Sequence, residues 1–255
     1  MTRVAIHGAA GRMGRAMTAG LGEHGIEVVA LVDPTGPAQD PRWRASIEDL
    51  TPGSVDAVVD FSTPAGVARA AHWCTPHGVA LIVGTTGLGD DVRRDLEHAA
   101  ETIPVIIAPN FAIGAALAER FAVLAAPFFT RAEVVELHHD RKVDAPSGTA
   151  VATARAIAAA QRAAGRPTPE EPTQRESVPG SRGADVDGIP VHALRLEGLV
   201  AHEEIHFGGP GEGLVIRHDS YDRSSFVAGV SLVLATLPRP AGLVEGLAPF
   251  LRGLA

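Results

Sequence analysis

From Arg3 to Gly14 the chain reads RVAIHGAAGRMG, a short apolar run followed at once by three glycines. The apolar run predicts a β-strand, and the residues that follow the glycines have the periodicity of a helix. Glycines at this spacing permit a tight turn, let the backbone approach a ligand closely and allow the helix to pack on the strand. Because the N-terminus of such a helix offers unpaired N–H donors, we expect an anion to bind at this turn.

A carboxylate completes the pattern of a dinucleotide site. Asp33 ends the second apolar run, about 20 residues beyond the turn, where a carboxylate can accept hydrogen bonds from an adenosine ribose. An isolated glycine triplet could be a tight connection only, but the flanking strand, helix and Asp33 favour nicotinamide dinucleotide binding. Since Pro34 follows, and not an arginine that could hold a 2′-phosphate, we expect NADH to serve at least as well as NADPH. The predicted cofactor residues in this part are Gly8, Ala9, Ala10, Gly11, Arg12, Met13 and Asp33.

The first part of the chain has the alternation of strand and helix patterns that is typical of a doubly wound α/β domain. Apolar runs rich in Val, Ile and Ala alternate with helical patterns, as expected for parallel strands that are covered on both faces. The runs span residues 3–7, 27–32, 56–61, 79–83 and 104–108. Loops after the fourth and fifth runs lie at the carboxyl edge of the predicted sheet, where ligands bind, although ordinary turns remain an alternative. These loops add Gly84, Thr85, Thr86, Ala108, Pro109, Asn110 and Phe111 to the predicted cofactor site.

A second, α+β domain is predicted beyond the first. Helical patterns at 113–126 and 148–164 flank a strand at 133–138, and three β patterns follow at 190–196, 201–207 and 213–218. They indicate a mixed, mostly antiparallel sheet. We expect a dinucleotide-binding domain at 1–109, a substrate-binding and oligomerisation domain at 110–216, and a C-terminal helical segment, 217–255, that returns to the first domain. Residues 165–188 are rich in Pro, Gly and charge, and they predict a long loop that could act as a lid.

Composition excludes several classes of protein. With 255 residues, 45% of them hydrophobic, the chain can build a large core. Its formal net charge is −8 and no run of Lys and Arg occurs, so we expect no nucleic-acid partner. No apolar run approaches the roughly 20 residues that span a bilayer, so no membrane is expected. The single cysteine, Cys74, and the absence of a signal peptide predict a cytoplasmic location.

The densest polar cluster runs from Glu136 to Ala150 and reads ELHHDRKVDAPSGTA. Ser147 is a good N-cap, and with Gly148 and Thr149 it predicts a helix start that binds a carboxylate. Lys142 can neutralise a second carboxylate or donate a proton, and one histidine of His138 and His139 can act at the reacting atom. A plain surface loop is the alternative, which this concentration of groups disfavours. Metal binding is not expected, because adjacent histidines are poorly spaced for chelation.

At this cluster the sequence closely resembles the dihydrodipicolinate reductases (4-hydroxy-tetrahydrodipicolinate reductases) of the bacterial and plant lysine/diaminopimelate pathway. Residues 136–150 are the most specific motif, and the glycine-rich turn, residues 56–62, 84–86 and 108–111 follow in the order and spacing of that family. The resemblance implies that NADH or NADPH reduces the dehydrated cyclic imine of hydroxy-tetrahydrodipicolinate to tetrahydrodipicolinate. It also implies a homotetramer that is joined through the sheet of the second domain.

Residue roles follow from the same resemblance. It implies that His138 is the general acid/base and Lys142 a second proton donor, with His139, Gly148 and Thr149 binding the small dianionic substrate. The chain departs from many relatives at Leu196–Glu203, which reads LEGLVAHE where they carry Gly-Gly-Asp-Val-Val-Gly-Glu-His. His202 in this segment could be a ligand or a structural residue of the sheet.

Two other classes of protein share part of this pattern. An amino-acid dehydrogenase for aspartate or homoserine would have the first domain but not the His-His, Lys and Ser-Gly-Thr cluster. A redox-sensing regulator would need a basic DNA-binding module, and none is visible in the sequence.

Overall fold

The computed structural model describes residues 1–37, 39–166 and 170–251. The chain divides into two compact units, one formed by Met1–Ile113 with Arg223–Ala255 and the other by Gly114–Asp222. The sequence analysis placed the domain boundaries at 109 and 216. No helix in the described residues is long and apolar enough to cross a membrane.

The described strands and helices follow the chain in this order. The strands are β1 (Arg3–His7), β2 (Glu27–Val32), β3 (Trp43–Arg44), β4 (Ala57–Asp60), β5 (Ala80–Val83), β6 (Pro104–Ile107), β7 (Arg131–His138), β8 (Ala184–Val186), β9 (Ile189–Arg195), β10 (Ala201–Gly209), β11 (Glu212–Ser220) and β12 (Gly242–Glu245). The helices are α1 (Arg12–Gly20), α2 (Pro64–His77), α3 (Asp90–Ala100), α4 (Ile113–Ala125), α5 (Gly148–Ala163) and α6 (Ser225–Leu234).

The first unit contains a seven-stranded sheet in the order β12-β6-β5-β4-β1-β2-β3. Its strand pairs are parallel. The central strands β1, β4, β5 and β6 are largely buried, and residues of α2 and α3 join them in one hydrophobic cluster. The Rossmann-type doubly wound fold predicted from the sequence is therefore confirmed. The chain passes from β1 to β2 and later returns to β4 on the other side, which puts the topological switch point between β1 and β4.

Local sequence signals explain the ends of the helices in this unit. Thr63 caps α2 by accepting the Gly66 N–H at 3.1 Å, and Pro64 occupies the first turn, where its missing N–H costs nothing. Gly78 then ends the helix in the left-handed conformation. In α6, a Cβ on Gly229 would lie 1.8 Å from the Phe111 carbonyl oxygen, so only glycine lets α6 pack on the loop after β6.

The second unit contains a five-stranded sheet in the order β11-β10-β7-β9-β8. Strands β7 and β9 are parallel, whereas the other neighbours are antiparallel, so the predicted mixed, mostly antiparallel sheet is confirmed. Helix α5 packs on one face of this sheet, and the core between them contains Val134, Ile157 and Ile205.

The structure corrects three details of the sequence analysis. The loop expected at 165–188 contains strand β8, and residues 167–169 of that loop lie outside the described residues. The segment 217–255 is not helical throughout, since it includes the end of β11, helix α6 and strand β12, and residues 252–255 are outside the described part. Strand β3 was not predicted because two residues give no periodic pattern.

Candidate active site

The glycine-rich turn lies at the switch point of the first unit. Gly8 has φ +79°, and a Cβ there would lie 2.5 Å from the Phe61 carbonyl oxygen. A Cβ on Gly14 would lie 2.3 Å from the Gly8 carbonyl oxygen. Both positions therefore require glycine, one for its backbone conformation and both for space. Gly11 is the N-cap of α1 without a side chain of its own to cap the helix, and the first turn holds no acidic residue. The helix start thus offers backbone N–H donors that could hold a pyrophosphate.

Asp33 sits beside this turn. Its carboxylate accepts hydrogen bonds from the Ala10 N–H at 3.2 Å, the Thr35 N–H at 2.9 Å and the Thr35 hydroxyl at 2.6 Å. Partial burial opposes ionisation of Asp33, but the hydrogen bonds from Thr35 and Ala10 outweigh it and lower its pKa. The carboxylate is therefore charged at neutral pH, and both of its oxygens can accept hydrogen bonds from a ligand.

The other predicted cofactor loops meet the turn at the same edge of the sheet. His7, Asp60, Val83 and Ile107 are aligned in register across β1, β4, β5 and β6, so the loops that follow them start side by side. Ala108 and Phe111 are buried, whereas Pro109 is exposed and Asn110 is partly buried, so a ligand could reach the backbone of this loop, Pro109 and Asn110. Arg12 and Thr86 are exposed, and Met13 and Gly84 are partly buried.

A buried carboxylate that the sequence analysis did not single out links these loops. Asp60 is fully buried and accepts hydrogen bonds from His7 Nδ1 at 2.7 Å, the Thr85 hydroxyl at 2.7 Å and the Ser62 N–H at 2.9 Å. The Thr85 side chain thus holds the loop after β5 against the end of β4. The position of Asp60 at the end of an apolar strand was a signal that the sequence offered for this residue. Its partners His7 and Thr85 could not be read from the sequence, because the order of the strands in the sheet brings them beside Asp60.

In the second unit, β7 ends in a second buried carboxylate. Glu136 and His138 are two residues apart on one strand, so their side chains share a face of the sheet. Glu136 is fully buried, and its Oε2 lies 2.5 Å from His138 Nδ1. Arg195 on β9 donates to both carboxylate oxygens, at 2.8 and 2.7 Å, and the Ser147 N–H donates to Oε1 at 3.0 Å. We call Glu136, His138, Arg195 and Ser147 the Glu136 cluster.

These donors keep Glu136 ionised in spite of its burial. Burial alone would raise the pKa of its carboxyl group, but the hydrogen bonds and charges of His138 and Arg195 lower that pKa to about 2. The guanidinium of Arg195 also donates to the Asp144 carbonyl oxygen at 2.7 Å, which connects the strand to the loop after it. The pKa of Arg195 is raised by the Glu136 hydrogen bond.

Lys142 has an acidic partner close by in the sequence. Its Nζ lies 2.8 Å from each carboxylate oxygen of Asp144, and the pair lowers the pKa of Asp144. The Lys142 side chain is 21% exposed, whereas that of Asp144 is 57% exposed. An incoming carboxylate would therefore compete for the ammonium group with Asp144, whose side chain is accessible to solvent.

The start of α5 follows the predicted pattern. Ser147 is the N-cap, and its hydroxyl accepts the Ala150 N–H at 3.2 Å. Since Ser147 is buried and its own N–H goes to Glu136, the N–H groups of Gly148 and Thr149 are the donors best placed for an anion. A Cβ on Gly148 would meet open space, so this position is accessible. His139 is partly buried.

A third buried acid lies next to the Glu136 cluster. Glu203 on β10 is directly opposite Glu136 in the antiparallel register, and its carboxyl group accepts the Thr153 hydroxyl of α5 at 2.8 Å. Burial, with the nearby charges of Glu119 and Glu136, raises the pKa of Glu203 to about 7, against the effect of the Thr153 hydrogen bond. The neighbouring His202 is buried, and its Nδ1 lies 2.7 Å from Asp219 Oδ1.

Comparison with known proteins identifies the family. A model of the N-terminal part of dihydrodipicolinate reductase matches residues 2–111, and a model of the C-terminal part matches residues 112–250. The chain belongs to the dihydrodipicolinate reductase family. The resemblance seen in the sequence is thereby confirmed over nearly the full length.

Individual members of the dihydrodipicolinate reductase family are similar along the whole chain. The protein is 48% identical over 253 residues to the 4-hydroxy-tetrahydrodipicolinate reductase of Beutenbergia cavernae, and 46% identical over 254 residues to that of Corynebacterium diphtheriae, with 98% of each chain covered in both pairs. Its fold is similar to that of a dipicolinate-bound dihydrodipicolinate reductase from Paenisporosarcina sp. TG-14, with a TM-score of 0.84 and 38% identity over 98% of this chain and 100% of that one.

No group of three or more His, Cys, Asp or Glu side chains within the described ranges is arranged to hold a metal ion.

Sequence reasoning did not recognise that Glu136 pairs with both His138 and Arg195. The spacing of two between Glu136 and His138 on one strand was a usable signal for the first pair. Arg195 could not be found in this way because it comes from a distant strand.

Proposed function

We propose that this protein is a 4-hydroxy-tetrahydrodipicolinate reductase of lysine/diaminopimelate biosynthesis. It reduces the dehydrated cyclic imine of its substrate to tetrahydrodipicolinate with NADH or NADPH. The observation that carries the proposal is the Glu136 cluster followed directly by the capped start of α5, in a chain that matches this reductase family from residue 2 to residue 250.

The first unit supplies the nucleotide site in this proposal. Glycines at 8 and 14 leave space that a side chain would fill, the start of α1 offers N–H donors to the pyrophosphate, and Asp33 accepts from the adenosine ribose. The loops at 84–86 and 108–111 complete the site toward the nicotinamide. When bound, the reduced nicotinamide supplies the hydride.

For the choice of nucleotide, we propose that NADH is accepted at least as well as NADPH. The ionised Asp33 carboxylate favours ribose hydroxyls and repels a 2′-phosphate. Its neighbours Pro34 and Thr35 carry no charge that could offset this repulsion, whereas the exposed Arg12 could do so in part. The ratio of kcat/KM for the two nucleotides tests the statement, and a strong preference for NADPH would contradict it.

The second unit supplies the proton and the substrate contacts. Reduction of a conjugated imine leaves negative charge on the ring system, which a proton must neutralise. His138 is the general acid/base in this proposal, and Lys142 is a second proton donor that also neutralises a carboxylate. Gly148 and Thr149 bind the other carboxylate with their N–H groups, assisted by Ser147 as the cap and by His139. Local cations and N–H donors are needed because the net charge of −8 repels a dianion.

We also propose a cytoplasmic homotetramer that assembles through the second sheet. The face of that sheet opposite α5 presents apolar side chains, with Leu194 37% exposed and Val215 55% exposed. The one cysteine, Cys74, is a buried free thiol, as is usual in a reducing compartment. Light scattering on the purified protein gives the number of subunits, and a monomer would contradict the assembly.

The reaction is tested by mixing enzyme, NADH and freshly generated cyclic imine, and following the loss of reduced-nicotinamide absorbance. The proposal expects turnover with the imine and none with aspartate or homoserine together with NAD⁺, which an amino-acid dehydrogenase would oxidise. Binding of NADH without turnover of any of these compounds would instead favour a sensor protein. The variant His138→Gln serves as the control for contaminating reductases.

A further inference from the structure

The Glu136 cluster contains an acid with no assigned role. We infer that Glu136 is a positioning residue that holds the His138 ring with its proton on Nδ1, leaving Nε2 to exchange the catalytic proton, and that it also fixes the substrate-binding start of α5. This inference rests on the proposed function, since it assumes that His138 transfers the proton.

The hydrogen-bond pattern sets the tautomer. The Glu136 carboxylate is ionised, with a pKa lowered to about 2, so it can only accept hydrogen bonds. Its Oε2 lies 2.5 Å from His138 Nδ1, and this nitrogen must therefore carry the hydrogen. In a neutral ring the other nitrogen, Nε2, is then the base, and in the protonated ring it is the acid. The His138 side chain is 16% exposed, so the ring is neither free to rotate in solvent nor sealed from a ligand.

The carboxylate is itself held rigidly. Arg195 binds both oxygens in the two-pronged geometry that restricts rotation of a carboxylate, at 2.8 and 2.7 Å. Arg195 lies opposite His138 in the parallel register of β7 and β9, so the salt bridge is supported by the sheet backbone. An amide at position 136 would lose the charge-assisted pair with Arg195, whose side chain is 20% exposed, which explains why an acid and not an amide occupies this position.

The same carboxylate reaches the proposed anion site. Its Oε1 accepts the Ser147 N–H at 3.0 Å, and Ser147 in turn caps α5 through the Ala150 N–H. One side chain therefore fixes both the imidazole and the residue that precedes Gly148 and Thr149. Glu136 thus sets the distance, within this unit, between the proton donor and the donors to the substrate carboxylate.

The first experiment measures the tautomer in the wild-type protein without turnover. Nitrogen-15 NMR of imidazole-labelled protein, with the His138 signals assigned by their loss in His138→Gln, should show the hydrogen on Nδ1 when the ring is neutral. A hydrogen on Nε2 would overturn the inference. Because this measurement needs no substrate, it remains valid even if the reductase assay fails, and the two failures are distinguishable.

The second experiment uses Glu136→Gln. We expect kcat to fall about 100-fold, the range of a misplaced general acid/base, with a smaller rise of KM, and the His138 signals to show a mixture of tautomers. Glu136→Asp keeps the charge and should recover part of kcat. A kcat of Glu136→Gln within about twofold of wild type would overturn the inference.

Strand β7 offers a matched control. Glu133 also pairs with a histidine and an arginine, His192 at 2.8 Å and Arg182, but it lies on the opposite face of the sheet. Glu133→Gln should leave kcat and the His138 tautomer unchanged. Equal losses of kcat in Glu133→Gln and Glu136→Gln would show a general structural effect and overturn the inference. If Glu136→Gln does not fold, the nitrogen-15 NMR measurement of the His138 tautomer in the wild-type protein tests the inference by itself.

Discussion

Replacing Glu203 by glutamine should remove the loss of stability that this side chain causes as the pH rises toward neutrality. Glu203 is 8% exposed and lies between strands and α5, where it faces Thr153, Glu119, Glu136 and His218. Burial and the two neighbouring acids raise its pKa from 4.5 to about 7. The native protein therefore holds a proton on this side chain that the unfolded chain releases.

The magnitude follows from the two pKa values. Between pH 4.5 and about 7 the unfolded chain ionises Glu203 while the folded protein keeps it neutral, so the folded state binds more protons and loses stability as the pH rises. A difference of this size corresponds to about 3 kcal/mol of unfolding free energy. Above the folded pKa the loss is complete. Glutamine is neutral at every pH and can still accept the Thr153 hydroxyl, so Glu203→Gln should not show the loss.

The assay is thermal unfolding of wild type and variant, followed by circular dichroism from about pH 5 to about pH 8. This range avoids Glu136, whose lowered pKa of about 2 gives a contribution that is lost only as the pH falls below 4.5. The two proteins should unfold at similar temperatures near pH 5. Near pH 8 the variant should unfold about 6–12 °C higher, since 1 kcal/mol moves the midpoint of a domain of this size by about 2–4 °C.

Glu204→Gln is the matched control. Glu204 is the next residue on β10, but its carboxylate lies on the other face of the sheet, where it binds Arg217 and His206. The unfolding temperature of Glu204→Gln should change with pH in the same way as that of the wild type. Parallel curves for wild type and Glu203→Gln would refute the reasoning, because they would mean that Glu203 is ionised in the folded protein.

Three further predictions concern the proposed site. His138→Gln should lower kcat about 100-fold with little change of KM in steady-state kinetics, and an unchanged kcat would remove His138 from the chemistry. Lys142→Ala should both lower kcat and raise the KM for the imine, because the ammonium group donates a proton and binds a carboxylate; a change in KM alone would leave it a binding residue only. Gly14→Ala would place a Cβ 2.3 Å from the Gly8 carbonyl oxygen and should weaken NADH binding at least tenfold in a fluorescence titration, whereas wild-type affinity would show that the turn can move aside.

The elements predicted from sequence are those with a strong local pattern. The buried parallel strands β1, β2, β4, β5 and β6 are short apolar runs, and α5 begins at a serine cap, so each can be recognised from its own residues. Strands β3, β8 and β12 contain two to four residues at the edges of the sheets. They form because a neighbouring strand offers hydrogen bonds, which no local pattern records.

By itself, the sequence determined the chemical groups of the candidate site and their spacing along the chain: the glycines of the turn, Asp33, and the histidines, Lys142 and helix cap of the segment 136–150. Only the tertiary structure decided that Arg195 binds the Glu136 carboxylate and that Glu203 lies opposite Glu136. It also decided that Asp60 joins His7 to Thr85. The physical reason is that a helix cap or a turn depends on residues a few positions apart, whereas a buried charge is stabilised by whichever strands the sheet order brings beside it.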